Sequence, residues 1–102
     1  MNTDTVRARL ITIIASGELR DRLEEDLRKL GATGYTVYRV DGRGRHGERL
    51  RGVFEIGNIR LETLVAEGKA AAILTHLGRL AEQFELVAFA QDVDALPRSH
   101  FV

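Results

Sequence analysis

The stretch Gly31–Gly52, GATGYTVYRVDGRGRHGERLRG, decides how the chain is read. It opens on a glycine directly after a charged, leucine-striped segment, passes through a run of Thr, Val and Tyr, then breaks into glycine and arginine. Gly31 suits the left-handed residue that ends a helix. Tyr35 to Val40 suits a pleated surface, so a helix hands over to a strand here. From Arg39 to Arg51 there are five arginines against Asp41 and Glu48, a net +3 with His46 neutral. Glycines at 42, 44, 47 and 52 let the backbone turn and approach a ligand closely. A glycine-rich turn at a strand end, exposing N–H groups beside arginines, has the chemistry of a phosphate cradle. A solvated basic turn is the competing reading.

Upstream, Val6 to Ile14 reads as a strand rich in branched aliphatics, apolar at nearly every position from Leu10 to Ile14. SGELRDRLEEDLRKLG reads as a helix with Ser16 as N-cap. Leu19, Leu23, Leu27 and Leu30 form its apolar stripe. Glu18–Arg22, Glu24–Arg28 and Glu25–Lys29 are i,i+4 pairs in the favoured order. Downstream, Ile59 to Val65 is a third strand, with Ile59, Leu61, Thr63 and Val65 on one side and Arg60, Glu62 and Leu64 on the other. Ala66 to Phe84 is a second helix whose apolar face holds Ala70, Ile73, Leu74, Leu77, Leu80, Ala81 and Phe84. Glu85 to Val93 is the fourth strand, and the tail DALPRSHFV carries the one proline.

The order β-α-β-β-α-β is the split βαβ arrangement. It predicts an α+β, ferredoxin-like domain over residues 1–102: a four-stranded antiparallel sheet with two helices on one face and a long flexible loop at about 41–57. If Leu10, Thr12 and Ile14 face the helices, Ile11 and Ile13 do not, so the other face stays apolar too. Such a face usually marks an interface, and a homo-oligomer with sheets packed toward each other is expected. Tyr35 and Tyr38 are read as sheet packing. The connection of about 17 residues far exceeds an ordinary hairpin. Ordering one residue's backbone costs about 1–2 kcal/mol. Fixing a dozen would therefore match the roughly 8 kcal/mol of a micromolar ligand. A small ligand should order the loop's base and leave its tip for a partner.

Bulk properties narrow the classes. Net charge is zero and the pI is about 6.8, which gives no electrostatic case for nucleic acid or membrane. With no cysteine, disulfides and thiolate metal sites are excluded. MNTDTVRARL has no signal-peptide h-region, and LITIIA is too short to cross a bilayer, so a cytoplasmic protein is expected, without direct membrane insertion. His46, His76 and His100 have no metal-site spacing, and His76 reads as a helix-surface residue. No nucleophile–base pair stands out, so no catalytic residue is assigned. A small ferredoxin-like nucleic-acid-binding module is the alternative, although no RNP-like aromatic pattern accompanies it.

Gly31 to Arg45, GATGYTVYRVDGRGR, resembles the PII signalling family, whose pattern here is roughly G-x-T-G-x-T-V-x-x-V-x-G-x-G-R. Weaker similarity runs through Asn58–Val65 and the last strand. The resemblance implies a homotrimer with nucleotides in clefts between subunits, and it makes the long connection a T-loop. It places Ile14, Thr36 and Leu64 at adenine-pocket positions and Glu62 at a third-strand site position. Gly42, Gly44 and Arg45 fall at the loop base that meets phosphates, with Arg43 beside them and His46 replacing the usual glutamine. Arg98 falls at a second phosphate contact. The glycine- and basic-rich loop that many members carry before the last strand is here only QFEL, which weighs against triphosphate binding. The chain is most similar to the carboxysome-associated PII-like branch. That likeness implies AMP or ADP as ligand, ATP being possible, with bicarbonate held near Arg43, Arg45 or loop-base N–H groups. It implies no required cofactor, and a bicarbonate transporter or carboxysome-related protein as partner.

Overall fold

The computed structural model describes residues 4–41 and 57–102. The chain order is β1 (Val6–Ser16), a 3₁₀ turn (Gly17–Leu19), α1 (Arg20–Lys29), β2 (Thr36–Val40), β3 (Asn58–Ala66), α2 (Glu67–Gln83), β4 (Leu86–Ala95) and a closing 3₁₀ turn (Arg98–His100). The strands form one sheet in the order β2-β3-β1-β4, every pair antiparallel. The expected split βαβ arrangement is therefore present.

Local chemistry explains the boundaries. Ser16 Oγ accepts from the Glu18 backbone N–H at 3.2 Å. It caps the 3₁₀ turn, so the regular helix begins only at Arg20, later than its sequence pattern suggests. Gly31 sits at φ +96°. The Ala32 amide reaches back to the Leu27 carbonyl (2.9 Å) and the Gly31 amide to Arg28 (3.1 Å), the paired bonds of a left-handed C-terminal cap. Lys69 Nζ then donates to the Gly31 carbonyl at 3.0 Å, joining the start of α2 to the end of α1. The surface ion pairs of α1 only partly match expectation. Glu25–Lys29 forms at 3.8 Å, but Glu24 pairs with Arg20 (2.7 Å), Asp26 with Arg22 (3.4 Å) and Arg28 with Glu25 (2.6 Å).

The core joins Ile11, Ile13 and Ala15 of β1 and Leu61 and Val65 of β3 to Leu23 and Leu27 of α1 and Ala70, Ile73, Leu77 and Leu80 of α2. Leu10, Thr12 and Ile14 therefore face away from the helices. β1 alone cannot decide this, being apolar on both sides; β3 decides it. Ile13 pairs with Leu61, and Ile14 with Arg60, so the polar side of β3 fixes which side of β1 faces outward. Leu19, Leu30, Leu74 and Phe84 are partly buried against this core. Ala81 is exposed, because it lies about 100° around the helix from Leu80. β4 continues to Ala95, past its expected end at Val93. Asp92 and Asp94 lie opposite Arg9 and Arg7 and pair with them at 3.0 and 3.5 Å, which extends the ladder through polar residues.

The uncovered face carries Tyr38, Leu64, Val87 and Phe89, all substantially exposed. Arg60 crosses it, 5.9 Å from the Phe89 ring centroid and 3.2 Å from Glu62 Oε2. Among the described residues, no helix is long and apolar enough to span a membrane.

Candidate functional site

A cleft of about 690 Å³ opens where the β2–β3 side of the sheet meets the C-terminal tail. Strand register builds its floor: Thr36 pairs with Glu62 across β2 and β3, and Leu64 pairs with Leu10 across β3 and β1. These four side chains share the uncovered face because strand side chains alternate with period two. Thr33, Gly34 and Tyr35 form one rim, and His100 and Phe101 of the tail form another.

Two contacts fix the first rim. Thr63 points to the helix side and is almost fully buried; its hydroxyl donates to the Gly34 carbonyl at 2.6 Å. The Tyr35 hydroxyl hydrogen-bonds Glu24 of α1, which raises the phenol pKa. Arg20 Nε donates to the same carboxylate at 2.7 Å. That hydrogen bond is the main cause, with Tyr35 adding to it, that holds the Glu24 carboxyl below the ordinary carboxylate range. Tyr35 thus lies 46% exposed along the cleft, where the sequence reading assigned it to sheet packing.

The site residues expected from the sequence fall into groups. Thr36, Glu62 and Leu64 meet in the cleft. Ile14 shares their face but lies outside the cleft lining, four residues along β1 from Leu10 and opposite Arg60 and Val87. It stands near the root of the long connection, where Val40 pairs with Asn58, Asn58 with Ser16, and the Gly17 amide donates to the Gly57 carbonyl at 2.9 Å. Gly42, Arg43, Gly44, Arg45 and His46 lie outside the described residues. Arg98 Nη1 donates to the Thr5 carbonyl at 3.1 Å, anchoring the tail.

Leu10, His100 and Phe101 line the cleft but were not assigned to a site from the sequence, where His100 was weighed only as a metal ligand. Leu10 looked like one more core aliphatic, and only the register turns it outward. Phe101 gave a weak signal, as an aromatic in a tail with no periodic pattern to bury it. The connection from α2 to β4 is just Phe84–Glu85, with no glycine or basic residue. Far from the cleft, His76 Nε2 lies 2.7 Å from Asp26 Oδ2 between the two helices, so it is half-buried rather than a plain surface residue. No cluster of metal-ligating side chains occurs among the described residues.

The described residues form a split βαβ sheet with a cleft on its uncovered face, and the long connection is rooted at one end of that face. The chain belongs to the P-II family: the family model for nitrogen regulatory protein P-II matches residues 8–99. A Thermus thermophilus protein described as PII-like and signalling is 34% identical, with a TM-score of 0.82, covering 98% of this chain and 100% of that one. CPII, described as a nitrogen regulatory PII-like protein from Thiomonas intermedia, superposes with a TM-score of 0.85 at 21% identity over 95% of each chain, in a structure bound to ADP, AMP and bicarbonate. A DUF3240 family protein from Shewanella baltica gives 0.67 at 20% identity, over 91% and 92% of the two chains. The last two likenesses speak to the fold. A comparison with curated proteins by sequence finds no match.

Proposed function

We propose that this P-II family chain is a non-enzymatic sensor. In this reading it forms a homotrimer, binds AMP or ADP together with bicarbonate, and signals through the ordering of its T-loop. The observation that carries the reading is spatial. Thr36, Glu62 and Leu64 lie together in the cleft, and Val40, the last residue of β2, lies four residues further along the same strand. At about 3.3 Å per residue that separation is about 13 Å. A base seated over Thr36 and Glu62 would direct its phosphates along β2 toward the arginines at the loop root. Arg43 and Arg45 are the charge-assisted donors assigned to phosphate and bicarbonate in this reading, with Gly42, Gly44 and His46 adjacent to them in sequence and Ile14 on β1, on the far side of β3 from β2. Arg98 anchors the tail in the single protomer and is the candidate for a phosphate contact across subunits.

The uncovered face supports association, since Val87, Phe89, Tyr38 and Leu64 are large apolar side chains exposed on it. The ligand set is supported by CPII, whose structures are described as bound to ADP, AMP and bicarbonate. The two-residue α2–β4 connection favours mono- and diphosphates over triphosphates, because it offers no basic cradle for a γ-phosphate. Membership of the carboxysome-associated branch, and a partner in inorganic-carbon metabolism such as a bicarbonate transporter, complete the proposal. Isothermal titration with AMP, ADP, ATP and cAMP, each with and without bicarbonate, tests it. Saturable heat with AMP or ADP, strengthened by bicarbonate, is expected; no heat with any of the four overturns it.

A further inference from the structure

We infer that Arg60 is a positioning residue of the ligand cleft: it engages one oxygen of the Glu62 carboxylate and leaves the other to accept a hydrogen-bond donor of the bound ligand. The inference rests on the nucleotide reading above and deepens it, adding a residue that sets ligand specificity without touching the ligand.

Three observations carry it. The first is which atoms meet. Arg60 Nε and Nη2 both donate to Glu62 Oε2, each at 3.2 Å. A guanidinium paired for attraction alone tends to fork across both carboxylate oxygens. Here both donors converge on one oxygen, and among the described residues none donates to Oε1. An ionised carboxylate can only accept. The free oxygen therefore suits an N–H or O–H of the ligand and rejects a carbonyl.

The second is that Arg60 is itself held. Its guanidinium carbon lies 5.9 Å from the Phe89 ring centroid, within reach of a cation–π contact. The Arg60 and Glu62 side chains are 32% and 27% exposed, and Arg60 is less exposed than any of the paired arginines along α1. A pair partly withdrawn from water is screened less than a surface pair.

The third is register. Arg60, Glu62 and Leu64 alternate onto the uncovered face of β3. Arg60 stands opposite Tyr38 on β2 and Ile14 on β1, one step nearer the loop root than the Thr36–Glu62 pair. Glu62 lines the cleft, and Arg60 lies outside its lining. Arg60 thus steers the carboxylate from behind. Without it the ligand would have to order the Glu62 side chain on binding, which costs about two- to ten-fold in affinity.

Calorimetric titrations of the full chain test this with three ligands: ADP, 2′-deoxy-ADP, and the purine riboside diphosphate that lacks the exocyclic amine. Wild type is compared with Arg60→Ala, Arg60→Lys, Glu62→Ala and the Arg60→Ala/Glu62→Ala double variant. Loss of a hydrogen bond to a charged group predicts that wild type binds one analogue about ten-fold or more weakly than ADP. With the base over Glu62, the amine-deleted analogue is the one expected; 2′-deoxy-ADP in its place would identify the ribose hydroxyl as the donor. Arg60→Ala should weaken ADP about two- to ten-fold and leave that analogue unmoved. Arg60→Lys keeps the charge and should recover part of the loss; where Arg60→Ala does not fold, Arg60→Lys carries the same comparison. In the Glu62→Ala background, Arg60→Ala should change nothing further. A merely structural Arg60 would weaken ADP and the analogue alike. That result, unchanged ADP affinity in Arg60→Ala, or a wild type that binds both analogues as tightly as ADP, overturns the inference and leaves the nucleotide reading standing. Absence of ADP binding to the wild type overturns both.

Discussion

Thr63→Val isolates the contact that holds the cleft's first rim. The side chain is buried, and valine keeps both its volume and its strand preference. The change removes only the hydroxyl that donates to the Gly34 carbonyl at 2.6 Å. A typical intramolecular hydrogen bond contributes about 0.5–1.5 kcal/mol net. Gly34 is exposed, so its carbonyl can turn to water and avoids the full penalty of a buried, unpaired acceptor. The expected loss is therefore about 1 kcal/mol. With a urea slope of about 1–3 kcal/mol/M, the midpoint should fall by about 0.5 M. Comparison at matched protein concentration is required, because in the proposed trimer association would add to apparent stability. The same change frees the rim at Gly34–Thr36. A ligand must then order that rim on binding, and ADP affinity should drop up to about five-fold, a cost of about 1 kcal/mol. A midpoint unchanged within about 0.1 M, together with unchanged affinity, would refute the view that Thr63 holds the rim.

Thr12 Oγ1 is buried without a hydrogen-bond partner, so Thr12→Val should leave stability unchanged or raise it by up to about 1 kcal/mol in urea titration. Gly31→Ala should cost about 1–2 kcal/mol by the same assay, since φ is +96° and the new methyl would meet the Lys69 side chain at 3.3 Å. Leu61→Ala, at a fully buried core position, should cost about 2–5 kcal/mol. Glu24 and Glu25 are both held below the ordinary carboxylate range, chiefly by their hydrogen bonds to Arg20 and Arg28. Their contribution is therefore complete above the unfolded-state value, about 4.3, and is lost as pH falls through the lower folded values. Glu24→Gln should show a shallower acid-side loss of urea stability than wild type; an identical slope would contradict the pairing.

Much of the fold was legible because its punctuation is local. Ser16, Gly31 and the leucine stripe of α1 each act within a turn or two of themselves. The alternation of β3 is readable for the same reason. The facing of β1 was not legible, because Leu10 to Ile14 is apolar on both sides and only pairing with β3 selects one. The last residues of β4, Asp94 and Ala95, were missed because Asp94 reads as a strand end until Arg7 stands opposite it. The site divides the same way. Thr36, Glu62 and Leu64 were named as site positions through the family resemblance, and strand register brings them into one cleft. His100 and Phe101 reach the cleft through the tertiary placement of the tail, where Arg98 donates to the Thr5 carbonyl, a contact between residues far apart in sequence.

The central claim is that an adenine nucleotide seats its base over Thr36 and Glu62 with its phosphates toward the loop root. A titration of the ¹⁵N-labelled chain with ADP, followed by amide chemical shifts, tests it most directly. The account predicts saturable shifts clustered at Gly34–Thr36, Glu62 and Leu64, running along β2 to Val40. Saturation with shifts confined to the helical face, or no shifts at all, would contradict it.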